Sequence, residues 1–176
     1  MADVPNEGPR WRGRLLVIDD APDVRADAYV ALADQSQYFE IETSLTHGFQ
    51  RLIATSPPYT LVFVPLTAAG RIGPPDRFVG EAAEEWARRH APGYAGRFVY
   101  YGAVEIVNQA PEGTPTAVLP AMPSDADIER FAKAIDDAIE RVRLQLREQR
   151  KAEREAKRLA RQAVGEDNGD AGESDL

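Results

Sequence analysis

A chain of 176 residues with no cysteine and a net charge of −8 is expected to be one domain with extensions, with no disulfide, no thiolate metal site and no cysteine nucleophile. No apolar run is long enough to span a membrane, and the polar, acidic residues 1–8 lack the apolar core of a secretory signal, so a cytoplasmic protein is expected. The charge is unevenly placed. Residues 1–140 carry 12 basic against 21 acidic side chains, residues 141–164 carry 9 against 3, and residues 165–176 carry 0 against 5. The acidity of the first segment argues against nucleic-acid binding there.

Short apolar runs alternate with helical periodicities, the pattern of a parallel α/β sheet. Residues 1–11 are expected to be flexible. Residues 14–19 read as a first strand, followed by a helix over 23–35 with Val24, Ala28, Ala31 and Leu32 on one face. Residues 38–43 are a second strand. Residues 44–55 are a helix with the stripe Leu45, Phe49, Leu52 and Ile53. Residues 60–64 form a third strand whose consecutive apolar side chains suit burial on both faces. The connection 66–76 holds Gly70, Gly73, Pro74 and Pro75, and a helix with Val79, Ala82, Ala83 and Trp86 inward runs to about His90. Residues 98–101 and 116–119 are the last two strands, separated by a helix of at most two turns over 103–109. Ser124 then caps a long helix with Asp125 and Asp127 in its first turn, uninterrupted by Gly or Pro before Gly165. Residues 165–176, rich in acids and glycine, are expected to be disordered.

Two stretches carry most of the information. Leu15-Leu16-Val17-Ile18-Asp19-Asp20 is an apolar strand ending in two carboxylates, followed by Ala21-Pro22-Asp23-Val24-Arg25. Tyr59-Thr60-Leu61-Val62-Phe63-Val64-Pro65-Leu66 is a second buried strand ending in proline. Together, with the order of elements, they resemble the first and third strands of the CheY-like receiver family of two-component systems, over residues 12–145. The resemblance implies a doubly wound, five-stranded parallel sheet of order 2-1-3-4-5, here with an extended C-terminal helix. It also implies a role in bacterial signalling.

In that family an acidic pair and an acceptor aspartate hold magnesium, a hydroxyl on the fourth strand reads the phosphate, and a lysine after the fifth neutralises it. Asp19 and Asp20 match the acidic pair. Pro65 stands at the acceptor position, Gly102 at the hydroxyl position, and Ala121, or Met122 with a slip of one, at the lysine position. The aromatic switch position falls on Val118 or Leu119. A proline has neither carboxylate nor backbone N–H. Phosphoryl oxygens need opposing positive charge, and hard divalent cations need several oxygen ligands. The resemblance therefore implies a receiver fold without receiver chemistry: a pseudo-receiver, not an enzyme, with no metal and no cofactor. Asp19 and Asp20 then close the strand and cap the next turn, or retain weak cation binding.

Other candidate chemistry is sparse. His47 and His90 are the only histidines, and no spacing pairs either with a nucleophile. His90 sits at a helix end, where a cation suits the dipole. Gly70-Arg71-Ile72-Gly73 suits a connection better than a phosphate loop. Tyr100 and Tyr101 alternate faces, so one is expected in the core and the other toward the emptied pocket.

The last helix carries a heptad seam of Ile128, Ile135, Val142, Gln149, Ala156 and Ala163 beside Phe131, Ala138, Gln145, Ala152 and Leu159. Its first half suits packing on the sheet. Its second half, residues 146–164, is expected to project, with Leu146, Ala152, Ala156, Leu159 and Ala163 as a weak coiled-coil seam. Arg147, Arg150, Lys151, Arg154, Lys157, Arg158 and Arg161 flank the seam, interrupted by Glu148, Glu153 and Glu155. Three readings stay open: a solvated helix, a helix that pairs with its own copy or a protein partner, and a helix that docks nucleic acid. A membrane is not expected, because bulky apolar residues are missing.

Overall fold

The computed structural model describes the backbone of residues 8–66 and 79–167 and the side chains of residues 8–66 and 83–162. The elements run β1 (Trp11–Ile18), α1 (Ala26–Asp34), β2 (Ser36–Glu42), α2 (Leu45–Ala54), β3 (Leu61–Pro65), α3 (Val79–His90), β4 (Phe98–Gly102), α4 (Val104–Val107), β5 (Thr116–Val118) and α5 (Asp125–Asp167). Short 3₁₀ turns, Pro22–Arg25 and Pro92–Tyr94, precede α1 and β4. All strand pairs are parallel, in the order β2-β1-β3-β4-β5. The expected five-stranded, doubly wound sheet is therefore the observed fold. The chain divides into two units, residues 1–139 and 140–176. The first holds the sheet; the second carries the continuation of α5.

The central strands read as unbroken apolar runs because both of their faces are covered. Every residue of β3 and β4 is buried, as are Leu15 to Ile18 of β1. One face packs Leu16, Ile18, Val62, Val64, Phe98 and Tyr100 against Leu45, Phe49 and Leu52 of α2 and Ala83 and Ala87 of α3. Phe49 stacks on Phe98 at 5.8 Å and meets Trp86 edge-on at 4.6 Å, as aromatic quadrupoles favour. The helix comes close because residue 48 is glycine: a Cβ there would lie 2.5 Å from Ile18 Cδ1. On the other face, Phe131 of α5 packs on Phe63 and Tyr101, and Tyr29 of α1 meets Phe39 of β2.

Several local expectations need correction. β1 begins at Trp11, inside the stretch expected to be flexible. Trp11 is only 2% exposed, and its Nε1 donates to Asp136 at 2.7 Å beside the Arg10 guanidinium at 2.6 Å. Pro22 turns the start of the first helix into a 3₁₀ turn. The buried residues of α1 are then Ala28, Tyr29 and Leu32, while Val24 is exposed. Ile53 is 62% exposed, so the α2 stripe stops at Leu52. α4 is a single turn, within the at most two turns expected. Ser124 does cap α5: its Oγ accepts the Asp127 N–H, and the Asp127 carboxylate accepts the Ser124 N–H, a reciprocal capping box. That helix runs 43 residues, through Gly165 to Asp167. The connection from residue 67, the side chains of Val79, Ala82 and Ala163, and residues 168–176 lie outside the described residues.

The edge strand β2 is tied to the sheet by a polar hub. Glu40 accepts from Arg14, from Arg51 at 2.7 Å and from the Tyr59 hydroxyl at 2.8 Å. Burial pushes the Glu40 carboxyl up, but the donors Arg14 and Tyr59 outweigh it and hold it below the usual range.

Candidate functional site

The carboxyl end of β1 is where the sheet brings charged and aromatic side chains together. Among the described residues, Asp19 is the one buried charged residue of the core, at 1% exposure. The 3₁₀ turn that follows supplies its partners. Ala21 N donates to Oδ1 at 3.0 Å, an Asx-type closure of the strand. Pro22 fixes the turn, which swings Arg25 back over the carboxylate. Arg25 Nη1 lies 3.2 Å from Oδ1 and 3.0 Å from Oδ2. One turn into α1, the Tyr29 hydroxyl donates to Oδ2. A carboxylate offers about four lone-pair directions, and these four contacts, two of them from the one Arg25 Nη1, engage both oxygens.

Arg25 is held from its other side. Its Nε donates to the Leu119 carbonyl at 3.4 Å, and its guanidinium lies 5.6 Å from the ring centre of Tyr101. The Tyr101 hydroxyl donates to the Ile18 carbonyl at 2.7 Å. Burial pushes the Tyr29 hydroxyl far above the ordinary tyrosine range, with Tyr101 and the Asp19 carboxylate adding to the shift. Burial, then the charge of Asp19, raises Tyr101 as well. Both shifts favour the protonated hydroxyl, the form that donates. The result is an ion pair between a largely buried cation and a buried anion, with both Asp19 oxygens and the Arg25 Nε and Nη1 engaged.

The residues singled out by sequence are distributed around this pair. Asp20 is exposed while Asp19 is buried, and the Asp20 charge still acts on the Tyr101 hydroxyl. Pro65 ends β3, is buried, and pairs in register with Tyr101. Gly102 ends β4, where an added Cβ would sit at an ordinary 3.5 Å from Ile106, so the backbone there accommodates a side chain. Leu119, fully buried, donates its N–H to the Gly102 carbonyl at 2.9 Å. Ala121 lies beyond it, exposed, and Met122 is 84% exposed with a φ of 50°. Val118 is half-buried. Asp19, Pro65, Gly102 and Leu119 thus line the carboxyl ends of four adjacent strands, and Ala121 does not join them. Tyr101 faces the pocket; Tyr100 is buried too, on the opposite face beside Phe98.

Arg25 and Tyr29 were missed by sequence reasoning. The available signal was a cation six residues after a buried acid, across a proline turn. Among the described residues no three His, Asp or Glu side chains cluster as metal ligands. His47 lies 3.9 Å from Glu42, and His90 packs on Trp86 at 5.4 Å. In the second unit Leu146 is half-buried, Ala152 and Ala156 are exposed, and Leu159 is 55% exposed.

No family model matches the chain, and no curated protein matches it in sequence. Solved structures do match in fold. An adenylate cyclase from Rhodopirellula baltica is 16% identical with a TM-score of 0.56, covering 81% of this chain and 98% of that one. The receiver domain of NtrX from Brucella abortus is 18% identical with a TM-score of 0.51, covering 72% and 98%. A CheY-like response regulator receiver domain protein from Methanospirillum hungatei JF-1 is 13% identical with a TM-score of 0.51, covering 76% and 98%. The sheet order, the helices on both of its faces and these likenesses together establish a CheY-like receiver fold for this chain.

Proposed function

We propose that this chain is a phosphorylation-independent pseudo-receiver, a cytoplasmic protein–protein interaction module in bacterial signalling, without enzymatic activity. The observation that carries the reading is the saturation of Asp19 by Ala21, Arg25 and Tyr29. A carboxylate so engaged has no lone pair left for magnesium. Pro65 leaves the end of β3 without an acceptor carboxylate, and Gly102 and Ala121 supply neither hydroxyl nor cation. The fold remains as a rigid frame. Its outputs are surfaces: the β5–α5 side and the helix beyond residue 145, which takes a protein partner or a second copy of the chain.

The test is incubation with acetyl phosphate and magnesium followed by intact mass measurement. No phosphate adduct is expected. Pro65→Asp is expected to remain silent in the same assay, because Arg25 still occupies Asp19. A stoichiometric adduct on the unmodified chain, mapping to Asp19 or Asp20, would overturn the reading.

A further inference from the structure

Along the sequence, Glu148, Glu153 and Glu155 interrupt the basic run. On the helix they do not. At about 100° per residue, Arg147, Arg150, Arg154, Lys157, Arg158 and Arg161 fall within about 100° of one another. Arg143 and Lys151 extend the same stripe. Glu153 lies to one side of it, and Glu148 and Glu155 to the other. All of these cations are exposed. Arg154, Lys157, Arg158, Arg161 and Gln162 line a shallow open depression along the helix.

The stripe is poorly neutralised by its own helix. Its ion pairs are Arg158 with Glu155 at 4.0 Å and Arg143 with Glu140 at 3.6 Å, both exposed and so weak. Among the described residues, Arg147, Arg150, Arg154, Lys157 and Arg161 are not ion-paired. Like charges three and four residues apart oppose helix formation. A stripe of this kind is stabilised by an anion that presents charges in a row.

We infer that the stripe binds the phosphate backbone of double-stranded nucleic acid, without reading base sequence. From Arg147 to Arg161 it spans about 21 Å at 1.5 Å per residue. A duplex carries about one negative charge per 1.7 Å of axis, so several phosphates fall within its reach. Five of the six central cations are arginines, whose planar fork pairs with phosphate oxygens through two parallel hydrogen bonds. An anionic membrane fits less well. A helix lying in a lipid interface buries bulky apolar residues on the face opposite its cations, and here that face carries Ala152, Ala156 and Ala160, with Leu159 alone of any size. The inference uses only residues 143–161 and stands whether or not the pseudo-receiver reading does.

The test is fluorescence anisotropy of the full chain with a labelled duplex of mixed sequence, about two helical turns long, over a range of salt. Binding is expected at low salt, with log K falling against log salt at a slope of about −3 to −5. Arg150→Glu with Arg154→Glu should lower affinity about tenfold or more at fixed salt. Arg12→Glu with Lys133→Glu makes the same change of net charge at exposed sites in the first unit, and should leave affinity within about twofold. Circular dichroism confirms that both variants keep their helix. A parallel arm uses vesicles of phosphatidylserine and phosphatidylcholine, which should bind more weakly than the duplex. Absence of duplex binding at low salt, equal losses in the two variants, or tighter binding to vesicles would each overturn the inference.

Discussion

The carboxyl end of β1 and the basic stripe of residues 143–161 both concentrate charge, and they handle it in opposite ways. Asp19 is 1% exposed, and its own chain supplies every partner it needs: a backbone N–H, a guanidinium and a phenol. The stripe is exposed along its whole length and meets carboxylates only at its margins. The difference follows from solvation. A buried charge without partners costs several kcal/mol, so the fold must satisfy it internally. An exposed charge is solvated by water at little cost, so nothing in the fold needs to answer it. The first region is therefore answered within the fold, and the second is left to solvent.

Arg25→Ala strikes the closed region hardest. It leaves Asp19 buried and without its cation, and should cost about 3 kcal/mol of stability, read as a lower urea midpoint. Adding Asp19→Asn to it should recover part of that loss, because no charge is then left buried. An equal or larger loss in the double variant would mean that the ion pair is incidental to the site.

A smaller effect is expected on the other side of the same helix as the stripe. Ala152, Ala156 and Leu159 form a thin seam. At about 25 cal/mol per Å², alanine seams give only marginal association. The full chain should self-associate in the micromolar range, ending the chain after Gln145 should abolish this, and Leu159→Glu should weaken it. Sedimentation equilibrium measures all three. A chain that stays monomeric at high concentration would leave the seam solvated, as the stripe is.

The smallest effect sharpens the contrast through pH. Burial pushes the Asp136 carboxyl up, but hydrogen bonds from Arg10 and Trp11 outweigh it and hold it below the usual aspartate range. A depressed carboxyl contributes stability that is present above its unfolded value of about 3.9 and is lost as pH falls through the folded value. The pair is partly exposed, so solvent screens it. The unfolding midpoint of Asp136→Asn should lie slightly below that of the native chain at neutral pH. The two should converge as pH falls below the usual aspartate range. A gap that stays constant over that range would remove Asp136 from the titration.

The fold was legible because its core is periodic. The consecutive apolar runs at 61–64 and 98–101, short and rich in β-branched and aromatic residues, suit a strand covered on both faces. Helix faces were less legible. Pro22 shifted the register of α1, bringing Tyr29 inward and Val24 outward, and a 3₁₀ turn cannot be told from a helix start by periodicity alone. Asp19 was legible as a strand terminus, but Arg25 was not legible as its partner, because the contact depends on a turn that folds six residues back on themselves. In the second unit the acids appear interleaved with the cations until each residue is placed about 100° from the last. A linear reading mixes what the helix separates.

In the proposed pseudo-receiver, Arg25 fills the coordination of Asp19. Magnesium titration followed by the backbone amide resonances of Asp20 and Ala21 tests it most directly. The native chain should show no saturable shift up to millimolar magnesium, since the Asp19 carboxylate has no free lone pair. Saturable, site-specific shifts of those two amides in the native chain, reversed by chelator, would contradict it.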